Sequence, residues 1–309
     1  MKRTATFTAL LVLSAVLNAC ADRGMMSIRP RVKLFEPNQR ALVAWDGEEE
    51  ILLLSTDVRA SEPTQVLEFL PLPSEPEVKE GDVEVFQRAV DLINRDRLVH
   101  ASRSRGGTKG PSAPAPVAGR VTFHERIGAQ DISVAEVLDK DGFVKWIEQY
   151  LKSKNYAVPE LPSTMKSAIG EYLSEGYTWF VFGLVDLDTT SNTREAIQYR
   201  FNSKHFYYPL RITRIGEGKT NVEITVLTPK LLVAPPSISY TNIRLKYKPI
   251  DINLDELKGL STDMAELLGN PEHMKLRIWE MDGDLTQFQK DIKAVFRQST
   301  GVSGANEKP

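Results

Sequence analysis

The chain has 309 residues and a formal charge of −2, with 41% hydrophobic and 26% charged residues, 18 Pro and 19 Gly. These proportions exclude a wholly disordered or collagen-like chain and suit one large domain or two modest ones. With no basic domain the chain is not built to neutralise nucleic-acid phosphates. A single cysteine, Cys20, excludes an intramolecular disulfide, a CxxC redox pair and a multi-cysteine zinc site.

The N-terminus begins with Lys2 and Arg3, continues uncharged from Thr4 to Ala21, and is nearly all apolar from Ala9 to Leu17. This is a secretory layout, too short for a membrane span. It ends in Leu17-Asn18-Ala19-Cys20, which resembles the signal of bacterial lipoproteins. The resemblance implies that residues 1–19 are removed. The Cys20 thiol then takes a diacylglycerol and the new amine a fatty acyl chain such as palmitate. Two or more chains hold a protein firmly to a bilayer, whereas one holds weakly. The competing reading is an ordinary signal peptide with a chance cysteine near the cut. Asp22 stands one place too late for the inner-membrane retention signal, so delivery to the outer membrane or cell surface is expected.

Residues 20–30 are expected as a tether. Residues 31–100 are expected as a β-rich unit, with strands over Ala41–Trp45, Ile51–Leu54 and Val66–Leu70. Asp46-Gly47 favours a hairpin between the first two. Asp82 can cap a closing helix through Val83, Phe86, Val90 and Ile93, ending near residue 98. Residues 101–119, rich in Gly, Pro and Ser, read as a flexible linker. Residues 120–297 are expected as an α+β unit, beginning with a strand over Ile132–Leu138. A helix follows from Gly142, and a second starts at Ser163 and stops at Gly176. Strands are expected over Thr178–Leu187, Phe206–Ile215 and Val222–Leu227. The alternating Thr241–Lys248 reads as another strand, and residues 252–268 as a helix. After a short strand at Leu276–Met281 comes a final helix capped by Asp284, with Leu285, Phe288, Ile292 and Val295 in register. Residues 298–309 read as a frayed tail. The class is α+β, with mostly antiparallel sheets and several packed helices.

Several short motifs stand in order along the chain. They are Pro37 to Gly47; Pro71-Leu72-Pro73-Ser74-Glu75-Pro76; Asn155-Tyr156 with Pro159; Tyr172-Leu173-Ser174-Glu175-Gly176-Tyr177; and Pro209-Leu210-Arg211-Ile212-Thr213. In these the chain resembles a bacterial family known as domain of unknown function 2330. The resemblance implies an exported protein. It supplies no activity and no catalytic residue.

No HExxH, GxSxG or GxGxxG pattern occurs. Gly218-Lys219-Thr220 resembles the end of a phosphate loop but lacks the earlier glycine and reads as a turn. His100, His124, His205 and His273 are far apart in sequence. The one local acidic group is Asp186, Asp188, Asn192 and Glu195, whose hard oxygens suit calcium. The competing reading is a polar strand-end loop. Tyr177, Trp179, Phe180 and Phe206, Tyr207, Tyr208 can stack on sugars or fill a core. Arg244, Lys246 and Lys248 can attract anionic polymers or form a solvated sheet face.

The reading these features support is a lipid-anchored extracytoplasmic protein of the cell envelope. It would bind a protein or polymer partner without catalysis and without a cofactor. The alternative is an envelope hydrolase whose site assembles only on folding.

Overall fold

The segments Ala41-Leu42-Val43-Ala44-Trp45 and Ile51-Leu52-Leu53-Leu54 are apolar at every position, and every one of these residues is buried. A strand that is apolar on both faces must be covered on both faces. Ala41, Val43, Trp45, Leu52 and Leu54 join one core, while Leu42, Ala44, Ile51 and Leu53 join another. These two strands therefore lie inside a layered stack.

The structure is a computed structural model that describes residues 23–29, 31–94, 121–127, 130–153, 160–190, 192–193, 195–233, 243–247, 249–269 and 274–297. In chain order, strands β1 (Gly24–Ser27), β2 (Leu34–Trp45), β3 (Glu49–Ala60), β4 (Thr64–Leu72) and β5 (Glu77–Gly81) precede helix α1 (Glu84–Asn94). Next come β6 (Val121–Ile127), β7 (Gln130–Glu136), α2 (Lys140–Ser153), α3 (Ser163–Ser174), β8 (Trp179–Leu187), β9 (Asn192–Thr193), β10 (Ala196–Asn202) and β11 (Phe206–Tyr208). A 3₁₀ helix (Leu210–Ile215) leads into β12 (Lys219–Thr228), followed by β13 (Arg244–Leu245), β14 (Ile250–Ile252), α4 (Leu254–Leu260) and α5 (Thr262–Leu268). The chain closes with β15 (Met274–Asp284), a 3₁₀ turn (Leu285–Gln287) and β16 (Ile292–Ala294).

The smaller of the two large sheets has the order β1-β4-β8-β7-β6, and the larger β13-β15-β12-β2-β3-β10-β5; β11 and β16 form a separate pair. Pairing is antiparallel except between β2 and β12, which run parallel. The two sheets face each other across the core of Val43, Trp45, Leu52, Tyr199, Val66, Val134 and Val181. Helices α1, α4 and α5 cover the outer face of the larger sheet. Helices α2 and α3 cover the smaller one through Phe143, Ile147, Ile169 and Tyr172 on Phe69, Phe180 and Phe182. The order of layers is helices, sheet, sheet, helices. The class is α+β, with helix as the minor component.

Several expectations are corrected. Residues 24–27 of the expected tether form β1, paired with Val66–Phe69. Phe206–Ile215 is not one strand. Pro209 offers no N–H to a ladder, and the chain turns into the 3₁₀ helix. The final helix is replaced by the turn at Leu285 and strand β16. Asp284 does cap, accepting from the Thr286 N–H at 3.1 Å, but Ile292 and Ala294 pair with Tyr208 and Phe206. Of Thr241–Lys248, only Arg244 and Leu245 pair as strand among the described residues. Residues 252–268 hold two helices, because Ser261 ends α4 and caps α5. Strands β5, β6 and β10 were not anticipated. Residues expected as two units, 31–100 and 120–297, contribute strands to the same sheets, since β2 pairs with β12, β3 with β10 and β4 with β8. The signal segment, Cys20, the linker and the tail lie outside the described residues.

Candidate functional site

Helix α3 ends where Gly176 takes φ +86°, a left-handed conformation that glycine adopts without penalty. The Tyr177 N–H then reaches the Tyr172 carbonyl at 3.0 Å, and the Gly176 N–H reaches Leu173 at 3.1 Å. This pair of bonds is a Schellman cap. Its usual apolar contact is made by two rings, Tyr172 against Tyr177, edge to face at 5.7 Å. The cap leaves Glu175 at the helix end, pointing at the 3₁₀ helix.

Arg211 on the 3₁₀ helix receives it. Its guanidinium forms a two-pronged pair with Glu175 and lies 4.1 Å from the centre of the Tyr172 ring. The partner beneath is Asp291, buried at 4% exposure. Asp291 Oδ1 accepts from the Arg211 N–H at 2.9 Å and from the Tyr172 hydroxyl at 2.7 Å. Its other oxygen stands 3.5 Å from the guanidinium. Arg214 pairs with Glu171 and Gln289, and Lys293 lies 3.6 Å from Glu175 and over the Tyr177 ring.

The seam continues inward. Tyr177 stacks on Tyr207 at 5.3 Å. The Tyr207 hydroxyl donates to the Pro71 carbonyl at 3.2 Å, and its N–H donates to Glu50 Oε2 at 2.8 Å. Ser74 exchanges hydrogen bonds with the Asn202 backbone, and Trp45 Nε1 donates to the Ser203 carbonyl at 2.9 Å. The four described motifs that carry the family resemblance thus converge on one seam, the segment from Asn202 to Thr213. Asn155, Tyr156 and Pro159 lie outside the described residues.

The electrostatics of this seam are those of a clamp. Arg211, Arg214 and Lys293 face Glu171, Glu175 and Asp291, so the charges balance. Burial first, and then the Asp291 charge, pushes the Tyr172 phenol well above its ordinary value; burial does the same to Tyr207. Burial also lifts the Asp291 carboxyl, although Arg211 pulls it down. Burial pulls Glu175 upward too, but Arg211 and Lys293 outweigh it and hold it low. Arg211 is held more firmly cationic than a free guanidinium, because Glu175 and Asp291 outweigh its burial. A buried pair of this kind is costly to break, since the partner left behind is an uncompensated charge.

The expected acidic group does not gather into a cage. Asp186 is exposed on β8, and its Oδ1 accepts from Gln65 at 2.7 Å. The Asp188 carboxylate accepts from the Thr189 N–H at 2.6 Å, a local turn. Asn192 pairs by backbone with Val58, its side chain being outside the described set. Glu195 is exposed, and its carbonyl accepts from Gln130 at 3.3 Å. Among the described residues no three His, Cys, Asp or Glu side chains stand together as a metal site.

Phe180, Phe206, Tyr207 and Tyr208 are buried core rings, closed to stacking on sugars. Arg244 pairs with Glu280 and Asp282, and Lys246 with Glu223, so this basic stripe is neutralised on the sheet face; Lys248 lies outside the described residues. Asp291 and Glu50 were not singled out from the sequence. Arg211 carried a signal, a charge between two apolar residues in Leu210-Arg211-Ile212, whereas Asp291 stands among Lys290 and Lys293 and Glu50 follows two other glutamates.

A cleft of about 290 Å³ lies between β5, α1, α4 and α5 and is lined by Asp82, Arg88, Gln198, Lys258 and Asp263. Most of these polar groups bind one another: Arg88 pairs with Asp82, and Gln198 bonds Asp263. No helix of the described residues is long and apolar enough to cross a membrane.

Among solved structures the chain is similar to baculovirus P35, with 9% identity and a TM-score of 0.39, covering 87% of this chain and 98% of that one. A mutated baculovirus P35 after caspase cleavage matches with 9% identity and a TM-score of 0.39, covering 85% and 100%. No curated protein matches. The sequence profile described as "Uncharacterized protein conserved in bacteria (DUF2330)" matches residues 16–264, which is most of the length and includes every motif of the seam but not its residues Gln289, Asp291 and Lys293. The chain belongs to this bacterial family, DUF2330.

Proposed function

We propose that the protein is a lipid-anchored extracytoplasmic protein of the bacterial envelope whose body binds a partner without catalysis. The observation that carries this reading is the run from Lys2 to Cys20, in which the only cysteine of the chain follows Leu17-Asn18-Ala19 at the end of an export segment. Removal of residues 1–19 makes Cys20 the first residue and the lipid acceptor.

The non-catalytic part of the reading draws support from the seam. Its charged groups are paired with one another, and burial raises the proton affinity of its phenols, which holds them in the protonated form. A general acid or base works best with a proton affinity near the ambient pH and open access to substrate. Arg211, Asp291 and Tyr172 instead join the end of α3 to the 3₁₀ helix, which suits a rigid scaffold that presents its outer surfaces. The partner class on this reading is an envelope protein or polymer.

Detergent phase partition tests the anchor. Wild type expressed with its own leader should enter the detergent phase, and Cys20→Ser should move to the aqueous phase. Wild type found in the aqueous phase would refute the anchor.

A further inference from the structure

We infer that the lipid at Cys20 holds the fold in one orientation, with the N-terminal end of β1 and the turn Ile215–Gly218 against the lipid headgroups; this rests on the anchor proposed above. Three peptide steps separate Cys20 from Arg23. A fully extended chain gains at most about 3.6 Å per residue, so the acylated residue lies within about 11 Å of the Arg23 backbone whatever path it takes.

Arg23 itself has no slack. Its side chain is buried, with Nη1 at 2.9 Å from Glu68 Oε2 and 2.9 Å from Gln130 Oε1, and its guanidinium lies 5.7 Å from the centre of the Tyr199 ring. Gly24 is already paired with Phe69. The fold therefore begins almost at the lipid.

The surface beside that entry point is identified by Gly24. A Cβ added there would stand 2.7 Å from Ile215 Cδ1 and 2.8 Å from Ile212 Cγ1. The 3₁₀ helix thus runs directly along β1, and its end, Ile215-Gly216-Glu217, is the neighbouring surface. Lys219, next to this turn, is exposed and forms no ion pair among the described residues, which suits an anionic headgroup layer. Helix α4 lies on the far side of the stack, behind the larger sheet. At about 10 Å per layer it stands roughly 20 Å from the smaller sheet that carries β1. The cleft beside Lys258 would then face away from the bilayer.

The acylated Cys20 leaves no free thiol, so an introduced cysteine takes a label uniquely. The test uses full-length lipidated Glu217→Cys and Lys258→Cys, each carrying a thiol-linked fluorophore. Both go into vesicles of phosphatidylethanolamine and phosphatidylglycerol that contain a headgroup-nitroxide lipid. Quenching several-fold stronger at 217 than at 258 is expected. A long Gly/Ser insert between Asp22 and Arg23 should bring the two sites to equality. Equal quenching at native length, in protein that floats with the vesicles, overturns the orientation while sparing the anchor. Wild type that takes up the thiol label, or that fails to float, overturns the anchor itself and the orientation with it.

Discussion

Glu50 shows how far one side chain can depart from the rule that buried charges are paired. It is fully buried on β3, opposite Trp45 on β2 and Phe201 on β10. One carboxyl oxygen accepts from the Tyr207 N–H, and the other has no hydrogen-bond partner. Burial raises its proton affinity well above the ordinary value of 4.5, and the Tyr207 bond only partly offsets this. The folded chain therefore keeps a proton that the unfolded chain releases as pH climbs past 4.5. Stability tied to Glu50 is full below that pH and is lost as pH rises toward the folded-state value, at about 1.4 kcal/mol for each tenfold change in proton affinity. Glu50→Gln keeps the shape and cannot ionise. In urea unfolding across a pH series, the variant should be the more stable protein at pH 8, with its advantage shrinking as pH falls toward 4.5. Parallel pH profiles for the two proteins would refute this account. The sequence offered little warning, because Glu50 follows Glu48 and Glu49 and reads as one of a solvated acidic run. The same holds for the clamp. Glu175 and Arg211 are visible inside the motifs that carry the family resemblance, yet only the fold shows that they meet over Asp291.

At the scale of elements, local chemistry was legible where one segment decides its own fate. The stop at Gly176 is an example. It needs only a glycine in the left-handed region, and it fixes the direction of Glu175. Nothing lies within 4 Å of the position a Cβ would occupy there, so the cost of Gly176→Ala is conformational and not a clash. It should be about 1–2 kcal/mol. Gly259, inside α4, also has open space around it but has ordinary helical backbone. Gly259→Ala should therefore stabilise, by about 0.5–1 kcal/mol. Thermal melts of the two variants should move in opposite directions. A shift of the same sign in both would mean that backbone conformation is not the deciding term. Legibility failed where a distant partner decides. Leu285, Phe288, Ile292 and Val295 fit a helical period, yet Ile292 is recruited by Tyr208 and Val295 is left 45% exposed. Strand β10 is a different failure. Ile197, Tyr199 and Phe201 alternate with Gln198, Arg200 and Asn202, so its period of two is present in the sequence itself.

The whole molecule is built by exchange between its two halves. The most central strands, β2 and β3, come from before residue 61, yet their outer neighbours, β12 and β10, come from after residue 195. In the smaller sheet β4 lies between β1 and β8. Neither half can close a sheet alone. Residues 31–94 alone would leave Ala41, Val43, Leu52 and Leu54 without Ile224 and Val226 on the neighbouring strand β12 and without Val181 on the facing sheet. At about 1.5–3 kcal/mol for each large apolar side chain exposed, losing a handful of such contacts exceeds the net stability of a typical domain. The composition of residues 101–119 suggests a boundary, because a linker and a long crossover share the same Gly, Pro and Ser chemistry. A specific protease site placed between Gly106 and Gly107 separates the two possibilities. After cutting, the fragments should remain together in gel filtration and unfold in one transition. Expressed separately, residues 21–100 and 120–309 should each lack cooperative unfolding. If either fragment alone gives a sharp melt, the two halves are independent domains and the shared sheets are not what holds the protein together.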